Sequence, residues 1–194
     1  FGEADGRMPD STVEADKDED LPKEAECFNV TQLELELPDD LTSTQRRLGA
    51  SALPQDPFYF LRQAMETYQG RCFGYQGANL IRKRLARLIL SRNYSTTRLG
   101  IPHQDMSQGR LVFVLIPGVI RSISFHESDI YGSWKTAFPA RPGDLLNVRE
   151  LEQGQEQLRR MLSRDVDLQL VPGPFPGESD IVIHLIRRKP WRLS

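Results

Sequence analysis

Five side chains in this 194-residue chain have the chemistry for a reactive or metal centre: His103, His126, His184, Cys27 and Cys72. Acid-base catalysis would need two of the histidines to converge with carboxylates in one pocket. Read along the chain, His103 falls in a hairpin turn and His126 and His184 in strands of a different module, and nothing in the sequence places them together. Neither cysteine has a CxxC partner or a Cys/His cluster at zinc spacing. There is no GxSxG elbow, phosphate-cradling glycine loop or HExxH, and QGANLIRK has one glycine and belongs to a helix start. These residues predict no enzyme, no metal and no cofactor. Two cysteines permit one disulfide, which would close a loop of about 45 residues, stabilise the fold by roughly 4 kcal/mol and imply an oxidising compartment. Two buried free thiols fit the residues equally well.

Charge is the next source of chemistry. The net charge of -2 hides an asymmetry: residues 1–26 carry ten acidic groups against Arg7, Lys17 and Lys23, which leaves the remainder basic. That acidic segment has no apolar periodicity, so it cannot offset its ordering entropy and reads as a disordered or extended linker. Lys83, Arg84 and Arg87 share one helix face. Nucleic-acid binding would call for a strongly basic domain or a reader motif, so a solvated helix face is the better account. No run approaches the roughly 18 apolar residues of a membrane helix. FGEADGRMPD lacks a basic region followed by an apolar one, so no signal peptide is expected.

The elements that would position these groups come in a repeated order. FNVTQLELEL, Phe28 to Leu37, alternates as a half-buried strand whose apolar face switches near its start, opened by Cys27 and ended by Pro38. LTSTQRRLGASALPQD is polar and broken by Gly49 and Pro54, a loop with room for a short helical turn. Asp56-Pro57 resembles a helix start, and Phe58, Leu61, Met65 and Tyr68 keep helical spacing until Gly70. Cys72 then falls in a turn before a second helix, about Gly77 to Arg92, striped by Ile81, Leu85, Leu88 and Ile89. Strands are expected at Ser95–Ile101 and Arg110–Ile116; LVFVLI reads as the centre of its sheet.

After Pro117-Gly118 the order recurs: a strand at Val119–His126, a short irregular helix at Ile130–Phe138, a turn at Pro142-Gly143, then a helix capped by Asn147. Glu150 lies at the third position of a capping box, and Gly154 inside the helix implies close packing. Strands Asp165–Val171 and Asp180–Arg187, joined by PGPFPGES, close the unit. Strand, helix, helix, strand, strand is thus performed twice. Each unit is small enough that its helices must cover one sheet face to build a core. The outer strands then present unpaired backbone groups to any extended chain, and binding there is β-augmentation.

The segments GRCFGYQGANLIRKRLARLILSRNYSTTRLGIPHQDMSQGRLVFVLIPGVIRSI, PGDLLNVRELEQGQEQLRRM and VPGPFPGESDIVI resemble the two POTRA domains of two-partner secretion outer-membrane transporters. That group includes haemolysin-activator, filamentous-haemagglutinin and contact-dependent-inhibition transporters, the last being the preferred branch. The match runs from Cys27 to about Trp191. It implies an α+β fold of two tandem POTRA domains, each β-α-α-β-β with a three-stranded mixed sheet covered by two helices. The organisation would be a linker at 1–26, POTRA domain 1 at 27–117 and POTRA domain 2 at 118–194. The resemblance places the chain in the periplasm of a Gram-negative bacterium, before a C-terminal outer-membrane β-barrel. There it would capture the secretion domain of one large unfolded exoprotein without ATP. It also pairs Cys27 with Cys72 as a disulfide.

Roughly six strands cannot form a membrane barrel of eight or more. The chain ends at Ser194, where the barrel would begin, so a soluble fragment that binds without translocating is expected. The family's N-terminal plug helix is not evident in residues 1–26. Its partners would be the secreted exoprotein and its own barrel, with no nucleic acid and no membrane insertion by this part. Contacts are expected on the outer strand of each sheet, at Ser95, Thr96, Thr97 and Arg98 in the first and at Asp167 and Gln169 in the second, although neither strand carries a chemical signature. Pro172, Gly173 and Gly177 would shape the last turn, and Trp191 would pack where the barrel joins. The rival account is a POTRA module of an outer-membrane assembly factor whose clients are unfolded barrel proteins. A nucleic-acid module, whose affinity would fall steeply with salt, is third.

Overall fold

The computed structural model describes residues 21–43, 45, 56–126 and 138–186. The readings of residues 1–20 as linker, of most of the 41–56 loop, of a helix over 130–137 and of Trp191 lie outside the described residues.

The strand expected at Phe28–Leu37 is divided in two. β1 (Phe28–Val30) pairs antiparallel with β3 (Arg71–Phe73), whereas β2 (Gln32–Glu36) joins a separate sheet. The break occurs where the amides of Thr31 and Gln32 both donate to the Gly109 carbonyl, at 2.9 and 3.0 Å. Gly109 has φ +77°, and a Cβ there would strike the Asn29 carbonyl, so no other residue fits this approach. Cys72 accordingly lies in a strand opposite Asn29 rather than in a turn. The short ribbon brings its Cα to 5.3 Å from that of Cys27, and the two form a disulfide.

Two helices cover the first sheet. α1 (Tyr59–Glu66) turns Leu61 and Met65 inward, and the Asp56 carboxylate accepts the Phe58 amide just before it. α2 (Tyr75–Ser91) buries Ala78, Ile81, Leu85 and Ile89. It begins two residues earlier than its apolar stripe indicates because the Glu24 carboxylate caps it, accepting the amides of Gly74, Gln76 (2.8 Å) and Gly77 (3.2 Å). The linker read as disordered through residue 26 is therefore docked from Leu21, which is buried in the first core.

The first sheet has the order β2-β5-β4, with β5 (Arg110–Ile116) central, parallel to β2 and antiparallel to β4 (Arg98–Gly100). The second has the order β6-β8-β7, where β6 (Val119–Phe125) runs parallel to β8 (Glu178–Ile186) and β7 (Asp165–Pro172) antiparallel to it. α3 (Val148–Leu162) covers this sheet with Leu151 and Leu158. Its Gly154 lies against the Phe138 ring with no room for a methyl group. Asn147 caps α3 by accepting the Arg149 amide at 3.0 Å. Glu150 does not complete a capping box. It sits near Tyr94 and Asp144, and its pKa is raised, first by burial and then by the Asp144 charge.

The modules meet at a polar junction around Pro117-Gly118. The end of α2 abuts the start of α3: the Arg92 and Asn93 carbonyls accept from Asn147 Nδ2 (3.2 Å) and the Val148 amide (2.9 Å). Groups that two helix ends would otherwise leave unpaired satisfy one another. Gln45, fully buried, donates through Nε2 to the Pro117 carbonyl at 2.9 Å and the Pro176 carbonyl at 2.7 Å.

Candidate functional site

Among the described residues, the longest open edge belongs to β7. Gln155, on α3, donates to the Val166 carbonyl at 2.6 Å, so that carbonyl points away from β8. At the other end the Gly173 amide bonds to Glu178. Antiparallel strands alternate between residues that bond their partner and residues that face outward. Asp165, Asp167, Gln169 and Val171 therefore bond β8, while Val166, Leu168, Leu170 and Pro172 turn their backbone groups to the open side. Pro172, which has no amide hydrogen, falls where none would be paired. Leu168 packs against the second core, and Leu170, Val171 and Phe175 are exposed. An extended chain laid along this edge meets amide donors and carbonyl acceptors at Leu168 and Leu170 and an apolar rim.

Asp167 and Gln169 thus share the outer face of the sheet rather than its open edge. Gln169 Oε1 lies 3.0 Å from His184 Nε2, and Asp167 stands directly opposite His184. Leu168 and Leu170 are the positions that sequence reasoning passed over. The alternation in DVDLQLVP, read together with its terminal proline, marks them.

The first edge is far shorter than the expected Ser95–Ile101. Ser95 and Thr96 lie in a turn, and the Ser95 carbonyl accepts from Arg98 Nη1 at 2.7 Å. Thr97 is buried, and its hydroxyl accepts the Gly118 amide at the junction. β4 ends because Pro102, which would face Val112 in the continued register, cannot donate. The Gln104 side chain takes that place, accepting from the Val112 amide and donating to its carbonyl, each at 2.8 Å. By the same alternation only Leu99 within β4 turns its backbone outward. Gln104 and Gln45 carried no expectation. For Gln45 a signal exists, since Thr42-x-x-Gln45 is a capping box with bonds in both directions.

Ion pairs hold the outer faces of both sheets. Arg110 bridges Glu34 (2.6 Å) and Glu36 (3.0 Å). Arg121 forms a bidentate pair with Asp180, which also accepts from Ser122 at 2.8 Å. Chiefly through the Arg121 bonds, the Asp180 carboxyl is held down at about 2. On the basic face of α2, Arg84 donates to the Tyr68 hydroxyl at 3.2 Å.

The structure does bring two of the three histidines together, contrary to their reading as separate. The rings of His126 and His184 have centroids 4.8 Å apart, because the parallel register of β6 and β8 aligns them. Among the described residues no group of three or more His, Cys, Asp or Glu side chains is arranged to hold a metal ion. No described helix is long and apolar enough to cross a membrane.

Two mixed three-stranded sheets, each with a central strand parallel to one neighbour and antiparallel to the other, follow one another through two residues. Residues 48–118 match the family described as POTRA domain, ShlB-type, and residues 119–172 match the POTRA domain family. The chain is a tandem pair of POTRA domains. The POTRA pair is 49% identical over 171 residues to the outer membrane transporter CdiB-2 of Burkholderia pseudomallei (strain 1026b), covering 88% of this chain and 29% of that protein. It is 27% identical over 179 residues to the hemolysin transporter protein ShlB of Serratia marcescens, covering 90% of this chain and 28% of that protein. Among solved structures, CdiB from Acinetobacter baumannii aligns with a TM-score of 0.70 at 23% identity, over 87% of this chain and 31% of that one. POTRA1-3 of Omp85 from Anabaena aligns at 0.62 and 15% identity, over 84% and 67% of the two chains. At such identities the solved structures bear on the POTRA fold alone. The chain spans less than a third of the length of these two curated relatives.

Proposed function

We propose that this POTRA pair is the periplasmic recognition region of a two-partner secretion transporter in the outer membrane of a Gram-negative bacterium. It receives the N-terminal secretion domain of a large exoprotein, in the manner of an adhesin, haemolysin or contact-dependent inhibition toxin, and passes it to a β-barrel. The capture step is strand addition, not catalysis. The observation that carries this is the β7 edge, where Leu168 and Leu170 turn paired donors and acceptors to the open side beside exposed Leu170 and Phe175. Main-chain bonds supply affinity at such an edge, and the side chains that flank it supply selectivity. The likeness to proteins named outer membrane transporter and hemolysin transporter supports the assignment to secretion over barrel assembly.

Calorimetry with the secretion domain of the exoprotein encoded beside this chain tests the proposal, with an unfolded barrel protein as control. Saturable binding of the secretion domain alone is expected. Leu170→Pro removes one outward amide and leaves the β8 ladder whole, and it should weaken binding about 10-fold at unchanged fold, given about 1–3 kcal/mol for an acceptor left unpaired. Undiminished binding by that variant would move capture to another edge. Equal binding of the barrel protein would favour an assembly factor.

A further inference from the structure

We propose that His126 and His184 form a two-imidazole site for a divalent transition-metal cation of the Zn2+, Cu2+ or Ni2+ class on the open face of the second sheet. The site arises from register. Phe125 pairs with Ile183, and the His126 amide donates to the Ile183 carbonyl at 3.0 Å, which extends the ladder one residue and sets His126 beside His184. Across the other side of β8, His184 faces Asp167. Directly paired residues share a sheet face, so one row across three strands reads His126, His184, Asp167.

The geometry suits a shared ion. Two imidazoles bound side by side to one cation, with metal–nitrogen distances of about 2.0–2.1 Å, have ring centroids about 4.6–5.3 Å apart for bond angles between about 90° and 109°. The observed separation is 4.8 Å, with the ring planes tilted by 43°. The contact to Gln169 bears on which nitrogen would serve. Gln169 Oε1 lies 3.0 Å from His184 Nε2, and with that nitrogen as the donor in the neutral ring, Nδ1 is the one left for a metal. A ligand histidine held by a hydrogen bond from its other nitrogen is the usual arrangement at metal centres.

His126 is exposed and His184 half-buried, so an ion reaches the pair from solvent. No third His, Cys, Asp or Glu among the described residues converges with them. The pair therefore supplies two nitrogens and water completes the shell, with the Asp167 carboxylate one strand away. Imidazole donors select Zn2+, Cu2+ and Ni2+ over Mg2+ and Ca2+, which take oxygen.

Titration calorimetry on the 194-residue chain with ZnCl2, NiCl2 and MgCl2 tests the site. One equivalent of zinc or nickel should bind and magnesium should not. His126→Ala and His184→Ala should each weaken binding at least 10-fold, and His103→Ala should leave it unchanged. Histidine side-chain NMR of the unaltered chain gives a readout independent of variant folding: zinc should shift the His126 and His184 resonances and not those of His103. The proposal fails if no metal heat appears at 1 mM, if the double variant His126→Ala/His184→Ala binds as well as the original, or if the shifted resonances belong to His103.

Discussion

The Thr97 hydroxyl accepts the Gly118 amide at 2.9 Å, one side chain of the first module bonded to the connector that leads into the second. Both residues are buried, and a Cβ on Gly118 would collide with Thr96. The connector is therefore held by a hydrogen bond and a steric fit at the same point. Together with Gln45 on the Pro117 and Pro176 carbonyls and Asn147 on Arg92, it makes the junction an ordered contact rather than a tether.

Thr97→Val keeps the shape and removes the acceptor, leaving a buried amide unpaired at a cost of about 1–3 kcal/mol. Denaturant unfolding should show that loss, and hydrogen exchange at Gly118 should accelerate. Thr97→Ser, which keeps the hydroxyl, should restore most of both. A Val variant as stable as the original would mean that water replaces the bond.

Reduction of the Cys27–Cys72 disulfide, or the double change to alanine, releases a loop with a sequence separation of 45 residues. The loop-closure entropy predicts a loss of about 4 kcal/mol. The β1–β3 ribbon should open first, so exchange at Gly70, whose amide donates to the Val30 carbonyl, should rise before that of β5. Chemical denaturation with and without reductant measures the difference.

Acid should remove the Arg121–Asp180 contribution in a defined window. The folded carboxyl titrates at about 2 against an ordinary 3.8, so the unfolded chain takes up the proton first. The contribution is complete above about pH 4 and disappears as the pH falls through about 2. Thermal unfolding of the chain and of Asp180→Asn should differ at pH 6 and converge near pH 2, and the gap should narrow with added salt.

Glu150 has the opposite sign. Burial, and then the Asp144 charge, raise its pKa above the ordinary 4.5, so the folded state prefers the protonated form. Its penalty is absent below about pH 4 and grows as the pH rises through the raised value. Glu150→Gln should therefore melt higher than the original chain at pH 7 and at the same temperature at pH 4. A lower melting temperature at pH 7 would show that the negative charge near the start of α3 is favoured after all.

The parts of this fold that show in sequence are those set by local periodicity. The near-continuous apolar run of β5 follows from burial at the sheet centre, the stripe Ile81, Leu85, Ile89 from the helical repeat of α2, whose expected fourth member Leu88 is exposed instead, and the α3 start from Asn147. Gly154 signalled close packing, and Phe138 is what it packs against. The division at Thr31 leaves a trace, since the apolar positions shift from Phe28 and Val30 to Leu33, Leu35 and Leu37, but a change of face within one strand gives the same shift as a passage between two sheets. Residues 95–97 have strand composition, yet Thr97 is recruited to the junction and Pro102 ends the ladder early, so β4 keeps only three residues.

By itself the sequence determined two sheet-and-helix modules joined without a linker, with β5 at the centre of the first sheet and the outer strand of the second at residues 165–171, because apolar spacing and turn residues act over a few positions. Tertiary structure alone decided that Glu24 caps a helix 50 residues away, that Gln45 spans to Pro176, that Leu168 and Leu170 rather than Asp167 and Gln169 face the open edge, and that His126 meets His184. Each of these depends on strand register and on which backbone groups remain unpaired once the sheets have formed, and no local pattern encodes that remainder.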